Sequence, residues 1–325
     1  MSTAGSSPDP RGRTRLWAAA SLVAGIFVFS WQDVILKWMS SDYALTEMVA
    51  IRGAGAIVIL LVTILVREGA ARIISPRAGM LALRGAVLFI AYGTYYMAFP
   101  AMKLAEVVTL FFMAPIFITA LAYPLLGERA HFSHWFAVLA GFAGVIVTYW
   151  PSLDPFGAGG MTSHGFDWAL LLPVASTLTY ALAQLMARKL KSESASVQGL
   201  YQNLMYLIGA VALALVFSLG HWTLSDLHPS VAFLVRDWSY GNATDLLLLA
   251  ACAPISALGT VLLSQAYRMA EANFVASFEY SGIIWGASWG FFFWGEVPDI
   301  YMYAGAMLIV GAGLYMLFVG RKEEP

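Results

Sequence analysis

Apolar residues run through this chain in long blocks, separated by short breaks that carry charge, proline or glycine. A helix that crosses a bilayer needs about 20 mostly apolar residues. Dividing the chain at its breaks predicts ten such helices, near residues 16–39, 45–66, 78–99, 104–126, 131–150, 167–189, 196–219, 245–268, 272–294 and 299–319. Most connections are so short that neighbouring helices must run antiparallel. Two are longer. Residues 151–166, with Pro151, Pro155, Gly157, Gly159 and Gly160, are the natural boundary between halves. Residues 220–244 carry Trp222, Phe233, Trp238 and Tyr240, rings that favour the membrane interface. Residues 1–15, rich in Ser, Pro, Gly and Arg, read as a disordered cytoplasmic tail, and residues 320–325 as a second short tail.

The polar interruptions recur. Adding 151 carries Asp33, Lys37, Glu47 and Arg52 onto Gln184, Arg188, Gln198 and Asn203. Lys103, Ala105 and Glu106 return at 165 as Arg268, Ala270 and Glu271, and Gly127-Glu128 returns at 168 as Gly295-Glu296. The chain therefore reads as two diverged copies of one unit, residues 16–150 and 167–319. Basic residues orient it. One side collects Arg11, Arg13, Arg15, Arg67, Arg72, Arg77, Arg129, Arg188, Lys189, Lys191, Arg268, Arg321 and Lys322, the other only Lys103 and Arg236. An excess of Lys and Arg marks the cytoplasmic face, which predicts both termini inside. Five helices per copy is an odd number, so the copies run in opposite senses, the arrangement of many secondary transporters with a site near the midplane.

Composition strengthens this picture. Hydrophobic residues make up 60% and charged residues 11%, against roughly 25% charged in a soluble domain, and the mean hydropathy is +0.74. The expectation is an integral membrane protein in contact with the lipid bilayer. A net charge of −1 without a basic face argues against a nucleic-acid partner. Cys252 is the single cysteine, which excludes an internal disulfide and a multi-cysteine metal site. His131 and His134 sit three apart with no acid or cysteine close in sequence, and no phosphate loop or hydrolase motif is present. No cofactor and no enzymatic activity are expected.

Two five-helix units, a polar break in the first helix of each, and Gly127-Glu128 and Gly295-Glu296 before the last helix of each resemble the drug/metabolite transporter superfamily, in particular its EamA-type members. The resemblance covers residues 16 to 319 and implies an all-α membrane fold, ten transmembrane helices as two inverted five-helix repeats around a central cavity. It further implies a secondary carrier in the inner or plasma membrane. Substrates across such a family include amino acids, riboflavin, S-adenosylmethionine, nucleotide-linked metabolites and drugs. A membrane-embedded enzyme or a scaffold are the rivals. The first needs convergent catalytic groups, and the second usually carries an appended soluble domain.

Ionisable groups inside a bilayer are costly and mark functional or pairing positions. Asp33 and Lys37, four apart, can pair on one helix, and Arg52 is expected to meet Asp33 across helices. Together with Glu279 these are candidates for coupling or for structural charge. Glu279 has no basic residue within one turn, which makes it the candidate for proton exchange. Arg84 lies at the end of an aromatic stripe containing Tyr92 and Tyr95, and a guanidinium in an apolar setting wants a carboxylate, a phosphate or a ring face. Gly282, Gly286 and Gly290 repeat every four residues, a pattern that lets another helix approach. Beside them Trp285 and Trp289 are candidate cavity walls. Ser256, Thr260 and Gln184 offer hydrogen bonds, to substrate or equally to other helices. Aromatic walls and one cation predict an aromatic, amino-acid-like or flavin-like solute over a sugar.

Overall fold

The computed structural model describes residues 10–40, 42–101, 107, 110–153, 168–220, 223, 227–239, 241–294 and 300–319, and among these there is no strand. Twelve α-helices are described: α1 (Pro10–Met39), α2 (Leu45–Arg67), α3 (Ala78–Met97), α4 (Ala114–Leu126), α5 (Phe132–Leu153), α6 (Leu171–Lys189), α7 (Ala195–Ser218), α8 (Pro229–Val235), α9 (Ala243–Met269), α10 (Ala272–Ala276), α11 (Gly282–Trp294) and α12 (Ile300–Val319). Helix α1 begins inside the stretch expected as a tail. The Lys103, Glu106, Gly295 and Glu296 motif positions, most of the 151–166 linker and the tail 320–325 lie outside the described residues.

Helices α1, α2, α3, α7 and α9 are long and apolar enough to cross a membrane, and α4 and parts of α5 and α12 add shorter apolar stretches. Their outward faces match that reading. Val66, Phe292 and Ile300 are more than 70% exposed, a burden that a chain in water would not carry on so many helices but that lipid tails cover. Local chemistry sets several helix ends. Ser194 caps α7 by accepting from the Val197 N–H at 3.2 Å, and Asn242 caps α9 through the Asp245 N–H at 2.9 Å. Gly127 closes α4 with φ of 74°, in the left-handed region that glycine enters without a Cβ penalty, and its N–H reaches the Tyr123 carbonyl.

The expected single helix over 272–294 is broken. Residues 277–281 form a turn and a 3₁₀ segment between α10 and α11. Every residue from Ala272 to Tyr280 is buried, which fits the rule that irregular backbone at membrane depth survives only inside protein or beside a cavity. The earlier span breaks similarly, with a turn at Phe112 and Met113 before α4. Around these elements α1 packs on α9 and α11, α2 on α7 and α9, α3 on α6 and α7, α4 on α6, and α5 on α12. At one crossing, a Cβ on Gly85 of α3 would stand 2.8 Å from Met205 Cγ and 2.9 Å from the Tyr201 carbonyl of α7.

The glycine stripe of α11 is used for close packing at one of its two described positions. A Cβ on Gly282 would meet Ile26 and Phe112, but one on Gly286 would meet nothing within 4 Å. The helix turns Gly286 outward, and among the described residues no neighbouring helix packs on it.

Candidate functional site

Buried polar groups converge where α1, α2, α3, α6, α7 and α9 meet, and the structure divides the expected site residues among three clusters. The first surrounds Arg84, which is 1% exposed. Its Nε donates to the Ala183 carbonyl at 3.1 Å, Nη1 to Gln202 Oε1 at 3.4 Å and Nη2 to Ser264 Oγ at 3.3 Å. Every partner is neutral, and they come from α6, α7 and α9. Arg84 thus ties three helices to α3 through all three of its nitrogens. Nearby, Ser256 donates to Asn203 Oδ1 at 3.0 Å, while Thr260 bonds back to carbonyls of its own helix. Gln184 is buried with its Oε1 unpartnered among the described residues.

The second cluster holds the acids. Tyr96 donates to Asp33 Oδ1 at 2.8 Å. Among the described residues no ion pair joins Asp33 and Arg52, and a tyrosine hydroxyl stands on the carboxylate instead. Glu279 stands at the break before α11 rather than inside a continuous helix. Its Oε1 accepts from Tyr267 at 2.7 Å and from Tyr180 at 3.0 Å. Two hydroxyl donors from α9 and α6 therefore satisfy a fully enclosed carboxyl. Tyr95 and Phe111 extend this cluster, with ring centroids 4.9 Å apart, and Phe111 meets Tyr180 at 5.2 Å. Lys37 is half-buried on α1.

The third cluster contains the tryptophans. Trp285 packs on Phe27 at 4.7 Å between centroids, and Trp289 packs on Trp31 at 4.1 Å while its Nε1 donates to Ser30 at 2.8 Å. Both rings therefore fasten α11 to α1. Arg84 and these tryptophans, which by the family resemblance should line one cavity, lie in separate contact networks.

Two cavities accompany the clusters. One, of about 180 Å³, lies between α2, α3, α7 and α8, and its lining includes Val49, Arg52, Phe89, Tyr92, Met97 and Tyr206. The other, of about 370 Å³, is lined by Ser40, Phe99, Pro100, Pro229, Ala232, Phe233 and Arg236. Of the expected substrate residues, Tyr92 lines the first cavity. Arg52, expected only as a coupling or structural charge, lines it too, and Tyr206 was missed. A signal for Tyr206 existed, since it lies three residues beyond Asn203, the repeat partner of Arg52.

At the end of the bundle that carries Arg188, an ion pair connects the halves. Arg188 Nε lies 2.7 Å from Glu128 Oε1, and each side chain is 17% exposed. Glu128 Oε2 accepts from the Ala272 N–H at 2.8 Å, the first residue of α10. The left-handed turn at Gly127 lets the chain double back and deliver Glu128 to both partners, which explains the Gly-Glu pair seen in the sequence.

Residues 16–150 match the EamA-like transporter family. Over 290 residues the chain is 28% identical to the pseudopaline exporter of Pseudomonas aeruginosa, covering 89% of this chain and 92% of that one. It is 29% identical to the riboflavin transporter of Rhizobium johnstonii, over 69% of this chain and 65% of that one. It is 22% identical to the S-adenosylmethionine uptake transporter of Rickettsia bellii, over 94% of each. A solved crystal structure superposes with a TM-score of 0.72 at 15% identity, covering 95% of this chain and 99% of its own, a likeness of fold. The chain is thus similar over residues 16–150 to the EamA-like transporter family, and over most of its length to transporters of metabolites.

Proposed function

We propose that this integral membrane protein is a secondary transporter of a small organic metabolite, working by alternating access between two inverted five-helix repeats. The observation that carries the reading is the paired break. Helices α4 and α11 each follow a turn, and their first residues, Ala114 and Gly282, stand 168 apart. Helices α3 and α9 begin 165 apart. Exchanging α1 with α6, α2 with α7, α3 with α9, α4 with α11 and α5 with α12 converts the α1–α9 contact into α6–α3. It likewise converts α2–α9 into α7–α3 and α4–α6 into α11–α1, and it returns α2–α7 and α5–α12 to themselves. All of these contacts exist. Such internal symmetry supports the rocking of one repeat against the other.

The relatives are transporters of pseudopaline, riboflavin and S-adenosylmethionine, which supports transport over an enzymatic role. Their substrates differ, so the cavity must choose. A volume of about 180 Å³ is below the 300–1,000 Å³ typical of drug-sized sites, and it supports an amino-acid-sized solute with an aromatic portion over a flavin. The charge asymmetry of the loops supports an inner or plasma membrane location with both termini cytoplasmic. Glu279 is the proposed proton site, because it is the enclosed carboxyl at the break of a helix that rocking must move.

A flux assay in proteoliposomes across amino acids, flavins and nucleosides tests the function. Saturable movement of at least one solute is expected. Flux of every solute equal to that of empty vesicles would overturn the reading.

A further inference from the structure

Arg52 is the residue whose surroundings fall furthest short of its chemistry. It is 1% exposed, and its Nε and Nη2 are buried without a hydrogen-bond partner among the described residues. These two nitrogens carry the parallel N–H pair on one edge of the guanidinium, the edge that takes both oxygens of a carboxylate at once. A buried guanidinium left unpaired is strongly disfavoured. Arg84 makes the contrast, since each of its nitrogens has a partner. What Arg52 has is the face of Tyr206, 5.2 Å from its Cζ, which leaves the fork free. Asp33 lies within electrostatic reach but forms no ion pair with it, and its Oδ1 is engaged by Tyr96.

The same side chain lines the cavity between α2, α3 and α7, whose wall is mostly apolar and aromatic, with Val49, Phe89, Tyr92, Met97 and Tyr206, and also carries Thr46 and Thr94. We infer that Arg52 is the anion-binding residue of the transport site. On this assignment it holds the carboxylate of an amino-acid-sized solute through Nε and Nη2 while the apolar part of the solute packs against Phe89, Tyr92 and Tyr206. The inference rests on the transporter reading and adds the substrate class. Both nitrogens are shielded from solvent in this conformation, so the solute reaches them when α2, α3 and α7 part. The expected anion-binder on sequence grounds, Arg84, becomes the clamp that holds α3 against α6, α7 and α9.

The test uses the full-length protein in detergent and follows thermal unfolding with 3-phenylpropionate and indole-3-acetate, each beside its uncharged amide. Both acids are expected to raise the melting temperature of the wild type and the amides not. In Arg52→Gln the apparent affinity for the acids should fall at least about tenfold, with no change in response to the amides. Equal effects of acid and amide, no effect of either in the wild type, or an acid response that survives Arg52→Gln would overturn the assignment. If Arg52→Gln does not fold, Val49→Phe fills the cavity without touching the charge and must abolish the acid response; a retained response overturns the site. Phosphatidylglycerol acting like the acids, and blocked by Arg52→Gln, would give the fork to a lipid headgroup and overturn the solute. Flux is scored separately. A variant Arg52→Gln that transports a solute with unchanged kinetics keeps the transporter and loses this site, whereas absence of flux for every solute removes the transporter itself.

Discussion

Glu128→Gln removes the charge that binds Arg188 but leaves an oxygen able to accept from the Ala272 N–H, so it isolates the ion pair from the helix-end contact. The two side chains are 17% exposed and 2.7 Å apart. Exposed pairs contribute about 0–1 kcal/mol, and breaking a fully buried one costs about 3–5 kcal/mol. A pair at this depth should lie between, near 1–3 kcal/mol. Because it joins the α4–α5 turn to α6, and Glu128 also holds α10, that energy favours a closed bundle at this end. Its loss should raise the population open there by about 5- to 150-fold. The readout is thiol labelling of Gln184→Cys in a Cys252→Ala background, since position 184 is buried one turn from Arg188. Labelling should accelerate when Glu128→Gln is added, and a cycle with Arg188→Ala should give a coupling of the same 1–3 kcal/mol in thermal stability. Additive stability losses, or an unchanged labelling rate despite measurable coupling, would refute the argument that this pair is a gate.

Three further outcomes are expected. Glu279→Gln should abolish the dependence of flux on a pH gradient while sparing binding, as followed in proteoliposomes with and without an imposed gradient; retained dependence would leave Glu279 as a structural hydrogen-bond acceptor for Tyr180 and Tyr267. Gly85→Ala should cost about 1–3 kcal/mol through overpacking at the α3–α7 crossing, whereas Gly286→Ala, which meets nothing within 4 Å, should melt like the wild type; equal melting of the two would refute the packing account. In intact cells lacking Cys252, an impermeant thiol reagent should label Ala243→Cys but not Ala71→Cys, and the reverse pattern would overturn the cytoplasmic placement of the termini.

Hydropathy made most helices legible. The expected 45–66, 78–99 and 196–219 fall within two residues of α2, α3 and α7, because a block of apolar residues long enough to span lipid has few alternatives to a helix. The break at 277–281 was not legible from hydropathy, which stays high through Phe274, Val275, Phe278 and Tyr280. Its trace is the polar set Asn273, Ser277 and Glu279. The roles of the two arginines could not be read from the chain either. Arg84 is satisfied partly by the backbone carbonyl of Ala183, and a backbone acceptor leaves no mark in a sequence. Arg52 differs only in which side chains the packing failed to bring to it. Trp285 and Trp289 share a helix face as their spacing predicts, but that face meets Phe27, Ser30 and Trp31 of α1, a pairing between the two ends of the chain that local periodicity does not encode.

The broken spans bear on the thickness of membrane this protein tolerates. At 1.5 Å per residue, the 13 residues of α4 rise only about 20 Å, some 10 Å short of a hydrocarbon core of about 30 Å. The chain turns at Phe112 and Met113 just before α4, and the turn and 3₁₀ backbone before α11, at 277–280, is buried by protein. Lipid on that side of the bundle therefore meets neighbouring helices rather than the broken strand of chain, and any thickening of the bilayer falls on the contacts that bury it. Long-chain lipids should load the α1–α11 and α4–α6 seams first, and these are the seams that the proposed rocking of the repeats would have to slide.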